Sequence, residues 1–422
     1  MMGDDASAFY RVGVVGLGYI GLPTAALLAA SGHRVIGVDK NPAVVATISD
    51  GGIHIEEPGL EAMVADAISS GRLTAALSPE PCDVFLIAVP TPFREDLTPD
   101  VSLVLEAAAA LAPVVEPGNL VIVESTCPIG TTQEVHERIA RLRPELFAAE
   151  SQVHVAYCPE RVLPGRIIEE LIANDRCIGG LTPEATSAAQ DFYRSFVRGD
   201  CIGTTARTAE MVKLVENASR DVGIAFANEL SLIAERMQVD VWEVIALANR
   251  HPRVSILQPG PGVGGHCIAV DPWFLVAAAP AEARLIRTAR EVNDAKPKFV
   301  LERAEALLAA HPGARLACLG LAFKPDIDDL RESPALYIVE ALARRHGDRI
   351  VCVEPHIRSL PPGLREAGAE LQGWDAAVER CALGLLLVDH SEFRVRGTAP
   401  PFAAYIDTRG LWRSPEDQPV GR

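Results

Sequence analysis

The chain contains no C-x-x-C pair, and its nine cysteines lie apart from any His/Cys cluster at zinc spacing. That absence excludes the small zinc modules and the dithiol redox motifs. An excess of positive charge is also missing: 39 Lys and Arg stand against 56 Asp and Glu, a formal charge of −17. Nucleic acid and anionic membrane are thereby excluded as main partners, and a negatively charged substrate needs a local basic pocket set against the global field. No stretch repeats with a period of roughly twenty to fifty residues, so solenoids and propellers drop out. One run, Val12 to Ala30, is apolar enough to imitate a signal or membrane segment. It has no positive leader, however, and Gly16, Gly18, Gly21 and Pro23 break it. Those residues suit a strand, a turn and a helix better than a span. The expectation is a cytoplasmic protein with reduced thiols.

What the chain does have is length and a globular balance, with 422 residues, 49% apolar and 23% charged. That is too long for one ordinary core, so two or three domains are expected. The N-terminal half alternates β-branched runs with Ala-rich stretches. Strands are predicted at Val12–Val15, Arg34–Val38, Val84–Val89, Leu120–Glu124 and Val153–Ala156, with helices such as Pro23–Ala30, Leu103–Leu111 and Thr132–Leu142 between them. Alternation of this kind means an α/β fold with a parallel, doubly wound sheet. From Thr205 to Gln238 the pattern becomes one helical run without proline. A helix of about thirty residues reaches about 45 Å, which suits a spine between domains or a dimer interface. After Gly313 the rhythm of strand and helix returns. Leu316–Leu319, Ile350–Val353, Leu383–Val388 and Ala404–Ile406 are strand-like, and Pro334 to Arg345 reads as a helix. The predicted architecture is two doubly wound parallel sheets joined by a long central helix, in regions 1–204, 205–312 and 313–422.

Gly16-Leu17-Gly18-Tyr19-Ile20-Gly21 follows a predicted strand and opens a predicted helix. Gly16 permits the tight turn, Gly18 lets the backbone approach a pyrophosphate, and Gly21 allows close helix packing. The helix N-terminus offers free N–H groups and a positive dipole end to the phosphates. Asp39 ends the second strand at the place where an acidic group takes the ribose 2′-hydroxyl. A 2′-phosphate would face a carboxylate there, so NAD is favoured over NADP. The competing reading, a glycine turn with no ligand, does not explain strand, helix and Asp39 together.

The stretch Gly260-Pro261-Gly262-Val263-Gly264-Gly265-His266-Cys267 is followed by Ile268-Ala269-Val270-Asp271. Its glycines let the backbone bend around a ligand and expose the sulfur. A thiolate adds to an aldehyde, and the thiohemiacetal can lose a second hydride to become a thioester. For the other eight cysteines a small buried apolar role is expected. A Cys267–His266 dyad is disfavoured, since neighbours in an extended chain point to opposite faces. On the long helix, Lys213, Asn217 and Arg220 fall at i, i+4 and i+7 and share a face. A solvated polar stripe is the alternative. The apolar residues Met211, Leu214, Val215 and Ala218 around them suit a desolvated lysine, which near Cys267 could stabilise an alkoxide and lower the thiol pKa.

Taken together, these stretches resemble the UDP-glucose/GDP-mannose dehydrogenase family over essentially the whole chain. Further matching segments are Val89-Pro90-Thr91-Pro92, Glu124-Ser125-Thr126, Tyr157 to Gly165, Gly320 to Lys324 and Asp328 to Pro334. The resemblance implies an N-terminal Rossmann-like NAD domain, a central helical dimerisation region and a C-terminal domain for the UDP moiety. It implies oxidation of a sugar CH2OH to the carboxylate with two NAD through a thioester on Cys267, supplying polysaccharide biosynthesis. Lys213 is implied as acid/base or oxyanion stabiliser, and Thr126, Asn217 and Asp271 as the groups that order water and oxyanion. Tyr19, Ile20, Asp39, Thr91, Thr126 and Arg331 fall where such enzymes hold NAD. Arg161, Val162, Lys213, Asn217, Arg220, Gly264, Phe323 and Lys324 fall where they hold the sugar nucleotide. Similar enzymes insert a loop from the partner subunit of a homodimer, here His251-Pro252-Arg253, and Arg413 belongs to the same expected site. No metal is implied.

One position departs from the pattern. UDP-glucose dehydrogenases carry a second Glu four residues after the one matching Glu160, and here that position is Pro164. Glu160 is then the one carboxylate of this segment available to activate the hydrolytic water. Arg161-Val162-Leu163 also changes the sugar-facing surface. Within the family the resemblance is to members that oxidise UDP-N-acetyl-D-mannosamine. The rivals are oxidation of UDP-N-acetylglucosamine or UDP-glucose by the same chemistry, a two-electron hydroxyacid dehydrogenase, which would not need Cys267, and a non-catalytic NAD-binding scaffold.

Overall fold

Short apolar strands, most of four or five residues, supply the frame, and helices cover it. The computed structural model describes residues 9–94, 96–147, 152–163, 165–265, 268–396 and 400–412. The chain divides into two compact units, one of residues up to 216 with 273–278, the other of 217–272 with 279 onward.

The first unit runs β1 (Arg11–Val15), α1 (Gly21–Ala30), β2 (Arg34–Val38), α2 (Pro42–Ser49), α3 (Leu60–Ser69), β3 (Leu73–Ala76), β4 (Val84–Ile87), α4 (Ser102–Leu111), β5 (Leu120–Val123), α5 (Thr131–Leu142), β6 (His154–Tyr157), α6 (Ile167–Ala173), β7 (Arg176–Gly180), α7 (Pro183–Arg194) and β8 (Cys201–Thr205). Its eight strands lie in the order β3-β2-β1-β4-β5-β6-β7-β8. Strands β1, β4 and β5 are buried on both faces almost throughout, as expected for a parallel sheet clad in helices. The order reverses between β1 and β4, so a crevice opens at their carboxyl ends, the usual ligand place in such sheets. One pairing departs from the expected parallel pattern, since β7 runs antiparallel to β6. Arg176, the first residue of β7, therefore sits beside Glu160, just past the end of β6.

Helix α8 (Ala206–Arg236) begins in the first unit and ends in the second, close to the run predicted from Thr205 to Gln238. The second unit continues with α9 (Val241–Ala248), α10 (Asp271–Ala278, whose last six residues belong to the first unit), α11 (Arg284–Ala310), β9 (Leu316–Leu319), α12 (Pro334–His346), β10 (Ile350–Val353), α13 (Pro362–Glu366), β11 (Glu370–Leu371), α14 (Trp374–Arg380), β12 (Leu383–Leu386), α15 (Ser391–Val395) and β13 (Ala404–Asp407). Its five strands, all parallel, are ordered β11-β10-β9-β12-β13. Helix α11 was not legible in advance because Pro297 lies inside it. Proline removes one helical hydrogen bond, and the buried stripe of Val300, Leu301, Ala304 and Leu308 offsets that loss by packing.

Candidate active site

The sharp turn after β1 needs glycine at two points for steric reasons internal to the protein. Gly16 has φ +92°, and a Cβ there would lie 2.6 Å from the Ala88 carbonyl oxygen. A Cβ on Gly21 would lie 1.8 Å from the Gly16 carbonyl oxygen, whereas one on Gly18 would meet nothing within 4 Å. Nothing in the protein thus demands that Gly18 be bare. The open space above it fits the approach of a pyrophosphate to the backbone. Ile20, the N-cap of α1, provides no side-chain cap, which leaves that helix end to an anion. Asp39, following β2, accepts the Leu17 N–H at 3.0 Å and the Asn41 N–H at 2.9 Å. Both oxygens are oriented by backbone yet keep lone pairs for ribose hydroxyls. Tyr19 is largely exposed beside the turn. Thr91 and Thr126, expected at the same cofactor, are joined: the Thr91 hydroxyl donates to the Thr126 carbonyl oxygen at 2.6 Å. Ser125 Oγ donates to the Val89 carbonyl at 2.7 Å, so the loops after β4 and β5 are pinned to one another at the carboxyl edge. These residues fit NAD.

Past β6, the side chain of Glu160 is buried. Its Oε2 pairs with Arg176 at 2.7 Å, and its Oε1 accepts the Arg161 N–H at 2.6 Å. Lys213, half-buried on α8, donates from Nζ to the Glu160 carbonyl oxygen at 2.7 Å. Arg161 forms a bidentate pair with Glu216, one residue before Asn217. Val162 packs partly into the core, and Pro164 lies outside the described residues. The residue that sets the rotation of α8 was invisible in the sequence. Glu210, fully buried, accepts the N–H groups of Gly130 and Thr132 at 2.6 and 2.8 Å and the Thr132 hydroxyl at 2.6 Å. Since Glu210 precedes Lys213 by three residues, anchoring it to the start of α5 turns Lys213 towards Glu160. No spacing rule announces an acid that caps a distant helix.

Behind this pair lies a second buried carboxylate, Glu124, which accepts the Tyr193 hydroxyl at 2.6 Å. Its other oxygen has no partner among the described residues. Burial, with repulsion from Glu160, pushes its pKa to about 7, against the pull of Tyr193 and Arg176. The folded-state pKa is raised above the ordinary 4.5. The folded chain therefore keeps this proton between about 4.5 and 7 while the unfolded chain releases it, and stability falls as pH rises through that window. The full effect is roughly 3 kcal/mol above pH 7, at 1.36 kcal/mol per unit. Glu124→Gln, which retains the acceptor for Tyr193, is expected to melt near wild type at about pH 5 and to be more stable by roughly 2–3 kcal/mol at about pH 8. Equal differences at both pH values in thermal melts would contradict this account.

In the second unit, Asn217 Nδ2 donates to Asp271 Oδ2 at 2.5 Å. Asp271 is buried at the head of α10, so two expected water- and oxyanion-ordering groups are brought together. The glycine loop packs on the segment after β9. A Cβ on Gly264 would lie 2.4 Å from the Glu332 carbonyl oxygen and 3.0 Å from Phe323 Cβ, and one on Gly265 would lie 2.9 Å from the Phe323 ring. Phe323 thus packs against the loop, and Lys324 Nζ stands 5.9 Å from the Phe323 ring centroid. Arg331 is engaged by Asp329 at 2.6 and 2.8 Å. Arg220, His251 and Arg253 are exposed. Asn249 clasps both the N–H and the carbonyl of Ile256, at 2.7 and 3.0 Å, and so shapes the loop that carries His251 and Arg253. His266, Cys267 and Arg413 lie outside the described residues. Of the other cysteines, six are buried and Cys177 and Cys201 are half-buried. Among the described residues one cluster has metal-like spacing, Asp326, His356 and His390. Its His390 already accepts the Asp326 N–H on Nδ1 at 3.0 Å and faces Glu354 through Nε2 at 3.1 Å.

Three family models match in chain order. Residues 10–197 match the NAD binding domain of the UDP-glucose/GDP-mannose dehydrogenase family, residues 207–295 its central domain and residues 317–414 its UDP binding domain. The chain belongs to this family. It is an NAD-dependent nucleotide-sugar dehydrogenase, and NAD is its cofactor. It is 55% identical to an NDP-N-acetyl-D-galactosaminuronic acid dehydrogenase of Ralstonia nicotianae, over 96% of both chains. It is 51% identical to the UDP-N-acetyl-D-mannosamine dehydrogenase of Salmonella typhi, over 96% of this chain and all of that one. The solved structure of a UDP-D-ManNAc dehydrogenase from Pyrococcus horikoshii superposes with a TM-score of 0.85 at 40% identity, covering 97% of each chain. Among the described residues, no helix is long and apolar enough to cross a membrane.

Proposed function

We propose that this dehydrogenase oxidises C6 of UDP-N-acetyl-D-mannosamine to the carboxylate, giving UDP-N-acetyl-D-mannosaminuronate. The observation that carries the reading is the pair of catalytic arrangements on α8, Lys213 at the Glu160 carbonyl and Asn217 on Asp271, together with the 51% identical mannosamine dehydrogenases. NAD, when bound, accepts a hydride in each of two oxidations. Gly16, Gly18, Gly21, Tyr19, Ile20, Asp39, Thr91, Thr126 and Arg331 are assigned to hold it. Lys213 takes up the alcohol proton or stabilises the resulting alkoxide as the aldehyde forms. The Cys267 thiolate adds to that aldehyde, and loss of the second hydride leaves a thioester. Glu160 serves the attacking water, and Asn217, oriented by Asp271, orders the water and holds the oxyanion as the carbon–sulfur bond breaks and the thiol is restored. The balance is one CH2OH, two NAD and one water in, one carboxylate, two NADH and three protons out. Arg161, Val162, Arg220, Gly264, Phe323, Lys324 and Arg413 are assigned to the sugar nucleotide. The eight described cysteines are free thiols, in keeping with a cytoplasmic enzyme. Turnover of UDP-N-acetyl-D-mannosamine should release two NADH and one uronate per sugar; a ratio of one, with an aldehyde or ketone product, removes the four-electron reading.

A second reading of the sugar is favoured by the two relatives, 55% and 54% identical, named for N-acetyl-D-galactosaminuronic acid. It retains the chemistry and changes the sugar's configuration at C2 and C4.

The working form is proposed to be a homodimer with a shared site. Phe226, Leu230 and Ile233 repeat along one face of α8 and Met237 follows just past its end, and Phe226, Ile233 and Met237 are more than half exposed, a stripe that a second copy would cover. The loop with His251 and Arg253 then reaches the partner's substrate, whose diphosphate needs basic groups against the −17 background. Arg253→Ala should raise KM for the UDP-sugar by about tenfold, with little change for NAD. Mixing it with Cys267→Ser protomers should restore one intact site per mixed dimer. No gain on mixing, or full activity from a monomer, contradicts the shared site.

A further inference from the structure

Gly260 opens the glycine loop, seven residues before Cys267. Its N–H donates to Asn228 Oδ1 on α8 at 2.9 Å. Asn228 Nδ2 donates in turn to Asn293 Oδ1 on α11 at 2.9 Å. Asn293 Nδ2 donates to the Asp221 carboxylate at 2.8 Å and to the Asp221 carbonyl at 3.0 Å, and Arg290 Nη1 holds the same carboxylate at 2.6 Å. Asp221, Asn228, Arg290 and Asn293 are all 0–1% exposed.

Joining α8 to α11 does not by itself require such groups, because apolar side chains of similar volume pack two helices at least as well. The chain of bonds does not close between the helices. It runs from a buried ion pair, through two amides each acting as donor and acceptor, and ends on a loop amide. Gly260 is buried between buried Pro259 and Pro261, borders a pocket of about 350 Å³ and meets the tip of the Arg409 side chain, while its amide is fixed by Asn228. At the other end the loop is gripped by Phe323, Glu332 and Pro334. The start of the loop is therefore held by a buried hydrogen bond in addition to packing, where only packing contacts grip its end.

We infer that Asn228 is a positioning residue for the reaction, holding the loop that leads to Cys267 through the Gly260 N–H, with Asn293, Asp221 and Arg290 keeping its amide oriented. The inference rests on Cys267 being the nucleophile. A loop displaced by about 1 Å can cost up to a hundredfold in rate.

The test is Asn228→Ala in the full-length enzyme. Its kcat should fall about tenfold while KM for the UDP-sugar and for NAD stay within about twofold. The pH profile of Cys267 alkylation by iodoacetamide, followed on its peptide by mass spectrometry, should shift, while the Cys177 and Cys201 peptides keep theirs. An unchanged kcat together with an unchanged Cys267 profile overturns the inference. Alkylation needs no turnover, so it separates this failure from failure of the proposed reaction, which Cys267→Ser alone reports. Should Asn228→Ala not fold, amide exchange in the wild type decides: the Gly260 amide is expected to be protected, and exchange as fast as at the exposed Gln258 overturns the inference.

Discussion

Replacement of Cys267 by serine is expected to lower formation of the uronate by at least about a thousandfold, in the range seen when a covalent nucleophile is lost, while NAD affinity stays within about twofold. The reason lies in the leaving group as well as the attack. A serine hydroxyl at neutral pH is a weak nucleophile without an adjacent base, and the ester it would form resists hydrolysis where a thioester does not. The groups assigned to the cofactor, Gly16, Gly18 and Gly21 in the turn after β1 and Asp39 after β2, are far from Cys267 in the sequence. Their binding function should survive, and titration of NAD against the variant checks this. Chemical quench should show the first oxidation alone, one NADH or fewer per site, with the second missing. A Cys267→Ser enzyme that still makes the acid at the wild-type rate would remove the thioester from the mechanism and leave Lys213, Asn217 and Asp271 to be reassigned.

UDP-N-acetyl-D-mannosamine is expected to be used at least about a hundredfold better than UDP-glucose by kcat/KM, which needs about 2.7 kcal/mol of differential transition-state binding. The acetamido group brings an N–H, a carbonyl and a methyl. A pocket built for those leaves polar groups unpaired when a bare hydroxyl enters, at a cost of about 1–3 kcal/mol for each buried group. Arg161 and Val162 are the residues assigned to that pocket. Arg161 is held by Glu216, which makes it a pre-oriented donor rather than a mobile one, and half-buried Val162 offers an apolar surface. Their replacement together, Arg161→Ala with Val162→Thr, should narrow the gap between the two sugars. The panel that checks the prediction also includes UDP-N-acetylglucosamine and UDP-N-acetylgalactosamine, which differ from the proposed substrate only in configuration. A higher kcat/KM with any of the other three overturns the sugar assignment; only the product stoichiometry bears on the two-step oxidation.

Local pattern reached far into this fold. The strands Arg34–Val38, Leu316–Leu319 and Ile350–Val353 stand where their β-branched and leucine runs predict them, because a strand buried on both faces has to be apolar continuously. Strand β3, Leu73–Ala76, lacks that signature, and its place at the sheet edge asks less of its side chains. Helix α11 contradicts the local proline rule, since the packing of its apolar stripe depends on residues far away in sequence.

By itself the sequence determined the family, the glycine turn with Asp39, and the shared face of Lys213 and Asn217 on one helix, because each depends on covalent spacing and on the period of a strand or helix. Tertiary structure alone decided which groups hold those residues in place. Glu210 turns α8 by capping α5, Arg176 reaches Glu160 because β7 runs back beside β6, and Asn228 ties Gly260 to α11. These are buried polar contacts between residues 16 to 78 positions apart. Their energy comes from satisfying groups that burial has stripped of water, and no local spacing encodes which distant partner will do so.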